Sequence, residues 1–472
     1  MTGRLTAIAT AVLLSGTVHA ADRRPNVLFI MADDLGWKDV GFHGSDIETP
    51  NLDGLARGGT ELTQFYTLPM CTPSRAALLT GRYPFRYGLQ TGVIPTGQTY
   101  GLPTDERLLP QALKEAGYAT AIIGKWHLGH GDKKLWPRQR GFDVQYGPLI
   151  GEIDYFTHQA EGVVDWYRNE ERAIEDGYST TLIGNEAVKL IDGHDASKPL
   201  FLYLAFNAPH TPYQAPPEYL DRYERIDDPS RRAYAASITA LDDQVGRVVA
   251  ALEKKAMRAN TLIFFMSDNG GTRNAMFAGA VADMSKVKIP CDNGPFREGK
   301  GTNYEGGTRV VAFANWPGHV APGAKTGGMI HVVDLFPTLA ALAGASAGAG
   351  KPLDGMDVWP TIAQGKLSPR TELVYNVEPF RSAVRKGDWK LVWQVTLPSS
   401  AELYDIAKDP SEKTNLAAHH PETVAELEQR ANALAAEAAK PMLLEAGFKA
   451  MLELFHLPPA FPGEEYHLAG ER

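Results

Sequence analysis

The chain has 472 residues, with 47 Lys and Arg set against 56 Asp and Glu, for a formal net charge of −9. At 44% hydrophobic and 22% charged residues it has the make-up of a globular enzyme large enough for one big domain and a smaller one, which excludes a disordered or low-complexity chain. The acidic balance excludes the broad basic field of a nucleic-acid binder, so any anionic partner must be held by a local cluster of cations.

Arg4 precedes an apolar stretch from Leu5 to Leu14, and Val18-His19-Ala20 puts small residues at the two positions that govern signal-peptide cleavage. The stretch is too short to span a bilayer. Residues 1–20 are read as a secretory signal, the rival reading being a buried or amphipathic first helix. No later segment is apolar over a membrane-spanning length, so the expected product is secreted or periplasmic, with no membrane insertion.

Asn26 to Ala32 is a short, almost continuous apolar run that ends in Asp33-Asp34. The arrangement recurs: Ala119 to Gly124 runs into Lys125-Trp126-His127, Pro199 to Phe206 into Asn207-Ala208-Pro209-His210, and Thr261 to Met266 into Ser267-Asp268-Asn269. Runs of this kind suit strands buried on both faces, and polar residues at their ends mark the carboxyl edge of an open parallel sheet. Helical patterns at Leu108 to Ala116 and Arg231 to Lys254 supply the covering layers. The predicted fold is α/β, a mostly parallel central sheet with helices on both faces. Asn51 to Arg57 reads as a further helix with a glycine stop.

Asp33 and Asp34 would leave a regular strand on opposite sides, so a turn must let them converge, and converged carboxylates repel unless a cation lies between them. Asp268-Asn269 poses the same problem. Oxygen ligands of this kind suit Ca2+ or Mg2+ rather than zinc. Lys125 and His127, two apart at the end of an extended run, are expected on one face, as a cation and a base. His210 sits in the turn Ala208-Pro209-His210-Thr211-Pro212, and Lys300 in the glycine-rich loop Gly299-Lys300-Gly301.

Between Asp34 and Lys125 lies Cys71-Thr72-Pro73-Ser74-Arg75-Ala76-Ala77-Leu78-Leu79-Thr80-Gly81-Arg82. Thr72 is the expected N-cap, Pro73 suits the first turn and Gly81 the stop, which places Cys71 at the positive end of a short helix, with Arg75 one turn on. With only two cysteines, an exported chain also allows a Cys71–Cys291 disulfide.

Cys-x-Pro-Ser-Arg followed by Leu-Thr-Gly-Arg resembles the signature of the type I sulfatases, members of the alkaline phosphatase superfamily. Gly124 to Gly129 (Gly-Lys-Trp-His-Leu-Gly) and Gly299-Lys300-Gly301 with Glu305-Gly306-Gly307 resemble two further motifs of that family. The resemblance implies that a formylglycine-generating enzyme oxidises Cys71 to a Cα-formylglycine, whose hydrate is the nucleophile. It implies one Ca2+ held by Asp33, Asp34, Asp268 and Asn269 together with residue 71. Lys125 and Lys300 would bind the sulfuryl group, with His210 or Lys300 protonating the leaving oxygen. His127 would be the base that releases sulfate, and Arg75 would hold residue 71. Substrates would be sulfated carbohydrates or aryl sulfates. Gly36 to Gly44, Gly88-Leu89-Gln90 and Arg140-Gly141-Phe142-Asp143 look most like the arylsulfatase B type, the N-acetylgalactosamine-4-sulfatases. Two other readings share these residues: a phosphonate or phosphate ester hydrolase of the same superfamily, and a non-catalytic sulfoglycan-binding protein.

The stretch after Asn269, with Cys291, is expected to form a loop over the site. Beyond a Gly/Ala-rich interval at Ala343 to Lys351, short β-type runs from Arg381 to Val395 and at Glu402 to Asp405 precede a helix at Pro421 to Ala439. This resembles the family's smaller C-terminal α+β domain, so the expected division is 21–370 for the catalytic domain and 371–472 for the second. Oligomeric state is not legible.

Overall fold

The computed structural model describes residues 24–273, 289–348, 350–395 and 398–454. The expected signal segment and much of the stretch between Asn269 and Gly299 lie outside them.

The four apolar runs form the middle of a ten-stranded sheet. From one edge to the other its order is Ala324–Thr326, Thr60–Leu62, Ala312–Asn315, Thr261–Ser267, Asn26–Ala32, Leu200–Ala205, Ala119–Gly124, Val144–Gly147, Tyr167–Arg168 and Glu171–Arg172. The four runs are consecutive and parallel, with Val27 opposite both Phe201 and Leu262, and Leu200 opposite Ala119. Ala312–Asn315 runs antiparallel to both its neighbours, so the sheet is mixed but mostly parallel.

Alternation along the first strand divides the core. Val27, Phe29 and Met31 pack with Leu78, Leu79 and Phe336 on one face, while Leu28, Ile30 and Ala32 pack with Ile183, Ile238 and Val245 on the other. Both faces are therefore covered by helices, which is why these strands read as unbroken apolar runs. Burying one such Phe or Ile side chain contributes about 1.5–3 kcal/mol.

The Cys71–Thr80 helix stops at Gly81, whose φ of +66° suits glycine and whose N–H donates to Ala77 O at 2.9 Å. Its start differs from expectation. Cys71 is the first helical residue and extended Met70 is the cap, accepting the Ser74 N–H at 3.1 Å. Thr72 lies inside the helix, where its Oγ1 donates to His127 O at 2.9 Å and accepts the Ile94 N–H at 3.2 Å. Its hydroxyl ties the helix to the His127 segment instead of capping it.

A separate four-stranded antiparallel sheet follows in sequential order: Glu372–Val377, Arg381–Lys386, Trp389–Gln394 and Ser400–Asp405. Val384 and Leu391 on one face pack with Leu427, Ala431 and Leu434 of the Pro421–Ala436 helix. Tyr375, Val392 and Tyr404 on the other face pack against Tyr66 and Tyr304 of the preceding part of the chain.

Candidate active site

The parallel strands end side by side, and the ionisable groups gather at that edge. Asp34 has a φ of +65°, the turn that brings its carboxylate round to the side of Asp33. Cys71 Sγ stands 3.5 Å from Asp33 Oδ1 and 4.0 Å from Asp34 Oδ1. The Asp34 N–H donates to Asp268 Oδ1 at 3.2 Å, which joins the ends of the first strand and its neighbour.

Three cations meet three carboxylates. Lys125 Nζ lies 2.5 Å from Asp33 Oδ2, and Lys300 Nζ lies 2.7 Å from Asp34 Oδ2. Arg75 donates from Nε and Nη2 to Asp268 Oδ2 at 3.0 and 2.8 Å. All six side chains are buried, and each cation is paired with a carboxylate. Burial acts most strongly on Asp34 and would raise it, but Lys300, His210 and Lys125 outweigh that and hold it well below the usual carboxylate range. Asp268 goes the other way: burial and then Asp33 push it up to about 6, with Arg75 offsetting part. The same burial, reinforced by Asp268 and Asp33, holds the Cys71 thiol well above its ordinary range. As a cysteine, residue 71 is a protonated thiol, and the helix start does not make it an anion.

Lys300 Nζ also lies 3.0 Å from His210 Nε2. His210 Nδ1 is 2.7 Å from Thr211 O, and a carbonyl can only accept, so the ring proton sits on Nδ1 and Nε2 accepts from Lys300. Burial and Lys300 lower His210 to about 4, Asp34 opposing them. His127 is likewise kept neutral, chiefly by burial and then by Lys125, and its Nδ1 is buried without a hydrogen-bond partner among the described residues.

Lys125 and His127 do not share an extended face. The chain turns at Gly124, φ +111°, and again at His127, φ +59°, so Lys125 points to Asp33 while the His127 ring lies against Gly151. A Cβ on Gly151 would come within 2.3 Å of His127 Cε1. Asp165 accepts the N–H groups of Leu149 and Ile150, each at 2.9 Å, and so fixes that wall.

Whether these groups fit a cation can be judged from their oxygens. One ligand atom each from Asp33, Asp34, Cys71 and His210 lies within 4.8 Å of the others. Asn269 donates from Nδ2 to Asp34 Oδ1 and Gly270 O, leaving its Oδ1 buried without a partner among the described residues. An unsatisfied buried acceptor costs about 1–3 kcal/mol, and a hard cation among these oxygens removes that cost. The residues fit such an ion. Asp268 stands outside that group of four, and its Oδ1, which accepts the Asp34 N–H, keeps a lone pair free for a cation.

The two cysteines are free, so the disulfide reading fails: Cys71 is at the carboxylates, and Cys291 is buried in the core on the opposite face of the sheet from Leu78 and Leu79. Sequence reasoning missed Thr272, which donates from Oγ1 to Asp34 Oδ2 at 3.2 Å, and Thr211 and Glu152, which flank His210. Thr272, three residues after Asn269, was open to inference from that spacing. Asp165 and Gly151 carry no local signal, since only the fold brings them to His127.

All ten expected residues fall within residues 25–345, the stretch that matches the sulfatase family model. The chain belongs to the sulfatase family. A second family model, described as N-sulphoglucosamine sulphohydrolase, C-terminal, matches residues 299–437 and so takes in both the Lys300 loop and the antiparallel sheet. Mouse arylsulfatase J is 39% identical over 392 residues, 81% of this chain and 63% of that protein. Bovine arylsulfatase A is 34% identical over 458 residues, 87% of each chain. Among solved structures, Ps i-CgsB in complex with k-i-k-neocarrahexaose superposes with a TM-score of 0.81 at 33% identity, covering 92% of this chain and 98% of that one. Membership makes this a chain of the sulfuric ester hydrolases. No helix among the described residues is long and apolar enough to cross a membrane.

Proposed function

We propose that this chain is an exported sulfatase that hydrolyses sulfate monoesters on a sulfated glycan, with aryl sulfates as small surrogates, using a formylglycine made from Cys71. The observation that carries the reading is the position of Cys71 Sγ, 3.5 Å from Asp33 Oδ1 and walled by Arg75, Lys125 and Lys300. A protonated, buried thiol is a poor nucleophile, and a thiosulfate formed on it would have no easy internal exit. A hydrated aldehyde at position 71 supplies both a nucleophilic oxygen and a second hydroxyl for release.

The remaining groups have separable tasks. Asp33, Asp34, Asp268 and Asn269 would hold Ca2+, which when bound neutralises charge on the sulfuryl group and lowers the pKa of the attacking hydroxyl. Lys125 and Lys300 would face the sulfuryl oxygens, where fixed cations in a dry site favour the transition state. Lys300, hydrogen-bonded to an accepting His210 Nε2, would give its proton to the leaving oxygen. His127, neutral and with an unpartnered Nδ1, would take the proton whose loss expels sulfate. Arg75 would hold residue 71 and Asp268 in register.

For substrate, the motif resemblance suggests a 4-O-sulfated N-acetylgalactosamine, and relatives named N-acetylgalactosamine-6-sulfatase, such as the pig protein at 37% identity, make the 6-sulfated sugar its natural comparison. The division into a catalytic domain, 21–370, and a C-terminal domain, 371–472, and removal of residues 1–20 on export are parts of the same proposal.

The test is the mass of the residue-71 peptide from protein made in its own host. A loss of about 18 Da relative to cysteine, trapped by a carbonyl reagent, is expected for formylglycine. An unmodified thiol on protein that turns over sulfate esters would overturn the nucleophile, and sulfoglycan binding with no turnover after confirmed maturation would favour a binding protein.

A further inference from the structure

The loop carrying Lys300 is held from two sides. On the sheet side, Lys300 N–H donates to Gly271 O at 3.1 Å, and Gly301 N–H donates to Pro69 O at 2.7 Å, two residues before Cys71. On the other side the contacts come from the antiparallel sheet. Arg381 Nη1 donates to Gly301 O at 2.5 Å, on the carbonyl next along the chain from Lys300. Four residues on, Glu305 is anchored in full burial: its Oε1 takes Lys390 Nζ at 3.0 Å and Tyr375 OH at 2.8 Å, and its N–H donates to Glu412 Oε2 at 2.7 Å. Lys390 is itself buried, 2.8 Å from Glu412 Oε1. A salt-bridged cluster of this kind is a weak source of stability and a strong source of geometry, because a displaced member leaves a charge unpaired in the interior.

We propose that the antiparallel sheet is a working part of the active site, in which Arg381 positions Lys300 through the Gly301 carbonyl and the Lys390–Glu305–Glu412 cluster fixes the far end of the same loop. Lys300 Nζ meets both Asp34 and His210, and a lysine side chain transmits any shift of its backbone to Nζ. The loop glycines give no side-chain packing of their own, so the placement has to be imposed from outside. Arg381 is two-thirds buried and paired with Glu378, which fixes its guanidinium in the orientation that meets Gly301 O. The match of residues 299–437 to one family model treats loop and sheet as a single unit.

The inference rests on the role given above to Lys300, and a double-mutant cycle separates the two. In the matured full-length protein, Arg381→Gln is expected to lower kcat on phenyl sulfate by about 10–100-fold, the scale of a misplaced catalytic group, with KM little changed. The loss should be smaller on 4-nitrophenyl sulfate, whose leaving group needs no proton, and Arg381→Lys, which keeps a donor, should recover most of it. In a Lys300→Ala background the same Arg381→Gln change should cost under about threefold, since residues acting through one another are not additive. Hydrogen exchange gives a second readout: amides of residues 299–305 should exchange faster in Arg381→Gln. Tyr375→Phe, which removes one hydroxyl from Glu305 and keeps the ring, provides a milder variant with the same pattern. Equal losses in the two backgrounds, or wild-type kcat in both Arg381→Gln and Tyr375→Phe, would overturn the positioning role while leaving Lys300 in place. Unimpaired turnover by Lys300→Ala alone would overturn the role of Lys300 and this inference with it.

Discussion

Arg75 commits Nε and Nη2 to a single oxygen of Asp268, Oδ2, at 3.0 and 2.8 Å, and leaves Oδ1 to the Asp34 N–H. The guanidinium fork thereby fixes the end of one central strand against the helix that starts at Cys71, and its Nη1 reaches a third segment at Lys125 O, 3.1 Å away. Arg75→Met would leave the Asp268 charge buried and unpaired, and the expected cost is about 3–5 kcal/mol in urea unfolding. Arg75→Lys keeps the charge without the fork and should fall between. An unchanged midpoint in Arg75→Met would mean that Asp268 is neutral in the folded protein.

Calcium should stabilise the fold in proportion to its binding. After chelation and dialysis, calcium at about 100 times its dissociation constant should add about 2.7 kcal/mol, read as a rise in Tm. Asn269→Ala removes the unpartnered oxygen and Asp34→Asn a carboxylate, so both should lose most of that rise. An equal response to calcium in Asn269→Ala would place the ion elsewhere.

Gly151 leaves no room for a side chain beside the His127 ring. Gly151→Ala should displace the imidazole and lower kcat by about 10–100-fold with little change in Tm, since the residue is half-buried and its backbone conformation is open to alanine. Wild-type turnover in this variant would show that the ring position is not critical to the rate.

Asp165 gives a pH signature. Burial raises its carboxyl to about 6, the Ile150 and Leu149 N–H groups offsetting part of the rise. Folding therefore favours its protonated form, and that contribution is complete below the ordinary value near 4 and is lost as pH rises through 6. The slope reaches about 1.4 kcal/mol per pH unit for one proton. Asp165→Asn keeps an acceptor and removes the titration, so from pH 4 to 6 it should gain on the wild type in urea midpoints, with no further change above. Parallel midpoints across that range would exclude Asp165 as the source.

What was legible in the sequence follows the range of the interactions. The four central strands were visible because burial on both faces writes an apolar run into each, and their polar ends named the residues that the fold gathers. The Cys71 helix starts two residues earlier than the Thr72 cap would place it, because the Thr72 hydroxyl is used by His127 O, a contact 55 positions away. Strand periodicity puts Lys125 and His127 on one face, and the positive φ of Gly124 and His127 breaks that periodicity. Asp165 and Gly151 act on His127 across the fold and leave no mark on their neighbours in sequence. The register of the antiparallel sheet, and with it the meeting of Arg381 and Gly301, was equally hidden.

The central strand also sets a clock. Val27 finds its partner at Phe201 and Leu28 its other partner at Ile263. A ribosome adding about 5–20 residues per second needs about 9–35 s to pass from Val27 to Phe201, and about 6–26 s to pass from Cys71 to Phe201. Until then the first strand lacks both of its neighbours, and from its own synthesis onward Cys71 has no closed sheet to bury it. Once the sheet closes, Cys71 is 1% exposed. Whatever must reach its sulfur has those seconds in which to do so, and a variant that folds faster around an unaltered cysteine would be stable and empty of activity.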